Sequence, residues 1–214
     1  MARGRGQSFR IGGRRKGFRR QFGLDRSGPP PRQTRPGQPL RPWTIPNAVG
    51  FLRLAALPVF LVIAFSSGDG RDAWAAVIFC LIAVGDYVDG FLARATGQYS
   101  RMGAILDPVV DRLTILSGAA VCWHFELLPR WALAVLVARE VVTAILAQVA
   151  LRRIGELEIN WLGRIAVAPV MASIFFAMVS ASPVWNVMLI VGVALGVLGT
   201  VAYVRTGLRQ LATA

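Results

Sequence analysis

After Pro42 the apolar residues arrive in blocks. They cover about 44–66, 72–93, 103–126, 130–151, 161–181 and 184–205, with short polar or glycine-containing turns between them. Each block is near the roughly 20 residues that a helix needs to cross about 30 Å of hydrocarbon. The pattern therefore predicts an all-α polytopic membrane protein, with a single six-transmembrane-helix bundle over residues 43–214. The short connections leave no room for a second folded domain. Pro46 opens the first block, where a missing N–H costs little. Pro58 and Pro169 lie inside theirs and should kink or loosen the helix.

Composition agrees with this reading. The 214 residues are 55% hydrophobic and 16% charged, against about 25% charged in soluble domains. The formal net charge of +13 is unevenly spread: residues 1–42 hold 12 of the 24 Lys and Arg residues and one acid, Asp25. That segment, with its glycines and the Pro29-Pro30-Pro31 run, is predicted to be a disordered basic cytoplasmic tail. It interleaves no aromatic pattern with its charges, so it reads as a topological and lipid-contacting tail, and nucleic acid is not an expected partner. Cys80 and Cys122 fall inside apolar blocks and suggest neither a disulfide framework nor a zinc site.

Charge also orients the spans. With the basic tail inside, Arg94 and Arg101, Arg152 and Arg153, and Arg205 and Arg209 fall on the cytoplasmic side as well. Asp69, Arg71 and Asp72, Glu126 and Arg130, and the turn at Ser182-Pro183 fall opposite. Both termini are predicted to be cytoplasmic.

The chemistry is concentrated where the second and third blocks meet. Asp86 and Asp89 are i,i+3, and Asp107 and Asp111 are i,i+4, so each pair shares one helix face. Carboxylates at membrane depth are costly unless paired, hydrated or metal-bound, which makes them a functional-site hypothesis by default. Four of them on neighbouring helices suit a hard divalent cation such as Mg²⁺ or Mn²⁺. No His or Cys lies nearby to argue for zinc, and His124 reads as an interfacial residue. Gly90, Ala93 and Gly103 thin the helix surfaces beside the aspartates, and Arg94 is spaced to meet a phosphate. A structural polar cluster and the ion site of a transporter remain open at this point.

The run DYVDGFLARATGQYSRMGAILDPVVDR, from Asp86 to Arg112, matches every fixed position of D-x2-D-G-x2-A-R-x8-G-x3-D-x3-D. Eight fixed residues would coincide at one place by chance about once in ten billion trials. In this run, and in Thr44-Ile45-Pro46-Asn47 with Arg53 and Pro58, the chain resembles the CDP-alcohol phosphatidyltransferase family. The resemblance covers everything but residues 1–42.

It implies a bacterial cell-membrane enzyme with its site open to the cytoplasm, taking CDP-diacylglycerol and a small alcohol acceptor and releasing CMP. It further implies that Asp86, Asp89 and Asp107 hold a first metal ion and that Asp111 shares in a second. Asp111 would also be the general base, and Gly90, Ala93, Arg94 and Gly103 would shape the CDP pocket. A homodimer within the membrane lipids is implied too. In such a reaction metal bridges the phosphates of the donor, and a carboxylate accepts the proton of the attacking hydroxyl. A transporter should show repeats or centrally broken helices, and neither is evident in the sequence.

The acceptor is less legible. Arg139, beside Glu140, lies deep in the fourth block, and Arg152, Arg153 and Arg164 cluster at the junction with the fifth. This cationic set could hold the phosphate of glycerol 3-phosphate, which makes that acceptor the expectation. Arg152 and Arg153 also fit simple positive-inside topology. Against this acceptor, Gly163-Arg164-Ile165-Ala166-Val167 and Arg112 look nearer the actinobacterial relatives, some of them cardiolipin synthases acting on phosphatidylglycerol. Inositol phosphate is a further alternative.

Overall fold

The computed structural model describes residues 39–153 and 161–212, with the side chains of 149–153, 161–164, 203 and 206–212 outside that description. The tail predicted over residues 1–42 therefore lies outside the described residues, except for its last four. Among the described residues six α-helices follow in order: α1 Ile45–Ser66, α2 Ala73–Thr96, α3 Arg101–His124, α4 Arg130–Arg153, α5 Trp161–Val179 and α6 Pro183–Ala212. Among the described residues there is no strand, and the fold is all-α.

The helix boundaries have local causes. Asp72 caps α2, its Oδ1 accepting the Ala75 amide at 2.9 Å, and Ser100 caps α3, its Oγ accepting the Gly103 amide at 3.0 Å. Thr44 caps α1 more loosely, at 3.4 Å from the Asn47 amide. At the other end of α2, Gly97 takes a φ of +67°, the left-handed turn that stops a helix and that a side chain would strain. Pro58 and Pro169 sit inside α1 and α5 as predicted, and Pro108 is a third interior proline, in α3. Pro108 has no N–H to give the Ala104 carbonyl, so the helix is loosened beside Asp107.

Among the described residues, four helices are long and apolar enough to cross a membrane, over Ile45–Ser66, Ala73–Thr96, Arg130–Gln148 and Pro183–Ala202. The sequence pattern predicts six. In α5 the apolar helix among described side chains, Ile165–Val179, is shorter. At about 1.5 Å per residue α3 is long enough, but Arg101, Asp107, Asp111 and Arg112 fall in its first half. The residues that make α3 chemically interesting are the ones that lower its hydropathy.

The described residues divide into two compact units, one formed by 39–52 with Gly85–Pro108, the other by Arg53–Val84 with 109–153 and 161–212. In the first, the segment before α1 is tied to the α2–α3 turn. The Met102 amide donates to the Leu40 carbonyl at 3.1 Å and the Ile45 amide to Gln98 Oε1 at 3.1 Å.

The second unit holds the apolar core. Phe60 of α1, Phe79 and Ile82 of α2, Val121 of α3, Leu133 and Leu136 of α4, Ile174 and Met178 of α5 and Leu189 of α6 are all buried. The rings of Phe60 and Phe79 lie 5.4 Å apart. Trp185 stacks on Phe176 at 4.6 Å and donates its indole N–H to Ser180 Oγ at 3.2 Å. Outward, α1, α2, α4 and α6 expose large apolar side chains such as Leu52, Leu81, Ile145 and Leu198, as helices facing lipid would.

Candidate active site

Three of the four motif aspartates belong to the first unit. Asp86 and Asp89 lie on α2 and Asp107 on α3, together with Gly90, Ala93, Arg94 and Gly103. Asp89 is 3% exposed, a depth at which a carboxylate must be compensated. Asp86 is exposed and Asp107 half-buried.

The two motif glycines have different neighbours. A Cβ on Gly90 would lie 3.2 Å from Nη1 of Arg94, so the guanidinium folds back over the bare backbone of Gly90, next to Asp89. A Cβ on Gly103 would lie 2.8 Å from Oδ1 of Asn47, closer than real side-chain carbons approach. Gly103 therefore admits Asn47, which is 2% exposed. Asn47 Nδ2 donates to the carbonyls of Arg41 at 3.1 Å and Pro42 at 3.0 Å, and its Oδ1 accepts Ser100 Oγ at 2.9 Å. Ser100 Oγ in turn accepts the Gly103 amide. Asn47 and Ser100 were not among the sequence-predicted site residues. The legible signal was a polar Asn in the first turn of an apolar helix.

The fourth aspartate, Asp111, belongs to the second unit. Nη2 of Arg53 contacts its Oδ1 at 2.6 Å. Arg53 is 4% exposed while the Asp111 side chain is 41% exposed, so a buried cation holds a partly open carboxylate. The same guanidinium donates Nε to the Ile82 carbonyl at 2.8 Å. Arg53 is a further residue that the motif did not single out, although one arginine inside an apolar block is itself a signal.

Of the arginines expected to bind acceptor, only Arg139 has a described side chain; those of Arg152, Arg153 and Arg164 lie outside the described residues. Arg139 Nη1 pairs with Glu140 Oε1, and both side chains are largely buried. Among the described residues, Arg139 Nε is buried without a hydrogen-bond partner. Gly196 of α6 makes room for it, since a Cβ there would lie 3.2 Å from Nε.

The donor set suits a hard divalent cation in kind, since every candidate is a carboxylate oxygen. Among the described residues, no group of three or more His, Cys, Asp or Glu side chains is close enough to hold a metal ion. Asp86, Asp89, Asp107 and Asp111 each engage other partners.

Residues 43–198 match the family model described as CDP-alcohol phosphatidyltransferase. The chain is 37% identical over 147 residues to a cardiolipin synthase (CMP-forming) of Streptomyces coelicolor, covering 66% of this chain and 68% of that protein. It is 31% identical over 130 residues to the CDP-diacylglycerol--glycerol-3-phosphate 3-phosphatidyltransferase of Escherichia coli K12, covering 58% of this chain and 70% of that protein.

Proposed function

Because this chain belongs to the CDP-alcohol phosphatidyltransferase family, a family that generally uses a divalent metal, we propose that it transfers a phosphatidyl group from CDP-diacylglycerol to the free hydroxyl of phosphatidylglycerol, releasing CMP. The reaction class and its place in phospholipid biosynthesis follow from the family, as does the character of a polytopic membrane enzyme with bacterial relatives. The acceptor is the proposal.

The single observation behind it is the higher identity to the Streptomyces coelicolor cardiolipin synthase, 37% against 31% for the glycerol-3-phosphate enzyme. A structural point agrees. Arg139 already has its charge balanced by Glu140, which weakens the cationic argument for a free phosphate monoester. Glycerol 3-phosphate is the second reading, kept by Arg152, Arg153 and Arg164, any of which could still supply its anion site.

For the reaction itself, Asp86, Asp89 and Asp107 would hold a divalent cation, Mg²⁺ or Mn²⁺, with Asp111 contributing to a second ion; bound metal supplies charge neutralisation at the diphosphate. Arg94, lying over Gly90, would hold a phosphate oxygen of the CDP moiety. Asp111 would accept the acceptor's hydroxyl proton as oxygen attacks the phosphatidyl phosphorus, and the P–O bond to CMP breaks. Ala93 would keep bulk away from the nucleotide; Gly103 belongs to the same proposed pocket by the family resemblance, and the space beside it holds Asn47. The same proposal includes six spans, cytoplasmic termini, a site open to the cytoplasm and a homodimeric assembly, all of which rest on the charge pattern and the family resemblance.

The test is competition on one purified preparation. CDP-diacylglycerol is supplied with phosphatidylglycerol and glycerol 3-phosphate together, CMP release is followed, and the lipid product is identified by mass. Cardiolipin as the product supports the reading. Phosphatidylglycerophosphate alone would replace it with the second.

A further inference from the structure

Arg53 has no assigned part in the reaction, yet its environment is unusual for a residue of an apolar helix. It sits in α1 at 4% exposure, and its guanidinium reaches two other helices. Nη2 meets Asp111 Oδ1 of α3 at 2.6 Å, and Nε meets the Ile82 carbonyl of α2 at 2.8 Å. A cation this deep is costly unless paired with good geometry, and here the pairing uses two edges of one rigid planar group. The Ile82 bond sets where the guanidinium lies; the guanidinium then sets where Asp111 Oδ1 lies. Asp111 remains 41% exposed, so the carboxylate is anchored on one side while part of it stays open.

We propose that Arg53 is a positioning residue for the transfer, holding the Asp111 carboxylate in the rotamer from which it takes the acceptor's proton. The inference rests on the general-base reading of Asp111 above. Arg53 keeps its charge throughout, and Asp111 changes charge only by the proton it takes up in the transfer. Its physical content is orientation: a base that swings among rotamers spends less time within reach of the hydroxyl, and a displacement of about 1 Å can cost a hundredfold in rate. Burial of Arg53 in the second unit also means that it acts without touching solvent.

Two substitutions test it. Arg53→Met fills similar volume without donors, and Arg53→Lys keeps the charge but cannot bridge both acceptors as a planar fork. Steady-state rates, apparent KM for CDP-diacylglycerol, thermal midpoint in detergent and Mn²⁺ binding by paramagnetic resonance are measured for each. Arg53→Met should lower kcat by about a hundredfold and Arg53→Lys by about tenfold. KM should stay within about threefold of wild type in both, since the donor's ground-state contacts are untouched. The thermal midpoint should change little, and any loss of Mn²⁺ affinity should be confined to the second ion, to which Asp111 contributes.

Unchanged kcat in either variant overturns the proposal. So does a loss of activity that tracks the thermal midpoint or KM, because that is what a purely structural arginine would produce. If Arg53→Met does not fold, the lysine variant decides alone. Asp111→Asn in the same assay separates this inference from its premise. Full activity there sinks the general-base reading itself, whereas an inactive Asp111→Asn beside fully active Arg53 variants sinks only the role of Arg53.

Discussion

Gly103→Ala adds one methyl group at a place where its consequence can be worked out. The new carbon would lie 2.8 Å from Asn47 Oδ1 and 3.3 Å from Ser100 Oγ. Asn47 cannot simply turn away. Its Nδ2 is held by two carbonyls at 3.1 and 3.0 Å, its Oδ1 accepts Ser100, and it is 2% exposed. Relief must come either from a strained contact, at about 1–3 kcal/mol, or from breaking one buried hydrogen bond, at about 1–3 kcal/mol. Alanine in place of glycine in a helix returns up to about 1 kcal/mol. The expected net loss is about 1–2 kcal/mol, or about 2–8 °C in thermal midpoint for a protein of this size. The assay is thermal unfolding in detergent of wild type, Gly103→Ala, Asn47→Ala and the double variant. With the asparagine oxygen gone, the added methyl should become neutral or stabilising, giving a coupling of about 2 kcal/mol. A Gly103→Ala protein as stable as wild type, or effects that simply add, would refute the packing argument. Loss of CMP release at full stability would point instead to the nucleotide as the neighbour that Gly103 accommodates.

Three further outcomes are expected. Chelation of divalent cations should abolish CMP release and Mg²⁺ restore it, while Asp89→Asn and Asp107→Asn should need more Mg²⁺ for half-maximal rate, as measured by metal titration of activity. Asp111→Asn should cost about a hundredfold or more in kcat, the usual worth of a general base, in the same CMP assay. Glu140→Gln should destabilise the protein by about 3 kcal/mol, because it strands the Arg139 charge in a largely buried site; thermal unfolding should show the loss, and Arg139→Met in the Glu140→Gln background should recover most of it.

The sequence alone determined the elements and the reaction class. Six apolar blocks became six helices because a helix in lipid must satisfy its own backbone, so block length and helix length are set by one requirement. The spacing of Asp86, Asp89, Gly90, Ala93, Arg94, Gly103, Asp107 and Asp111 was legible as a motif, and that motif lies within the matched family region, on which the roles proposed for these residues rest. The six-span reading was met in part: among the described residues four helices are long and apolar enough to span, because charges lower the hydropathy of the first half of α3 and the described apolar helix of α5 is shorter.

What the linear order could not decide was which polar residue meets which. Arg53 and Asp111 are 58 positions apart, and Asn47 and Ser100 are 53 apart. Nothing in local periodicity links such pairs, since helical spacing relates only residues three or four apart. Tertiary packing chose Arg53 to hold Asp111 and Asn47 to occupy the space left by Gly103, whereas Arg139 and Glu140 are neighbours in sequence and packing only buries their pair. Each choice follows from one physical demand: a polar or charged group buried among apolar helices must find its partner wherever the fold brings one within reach.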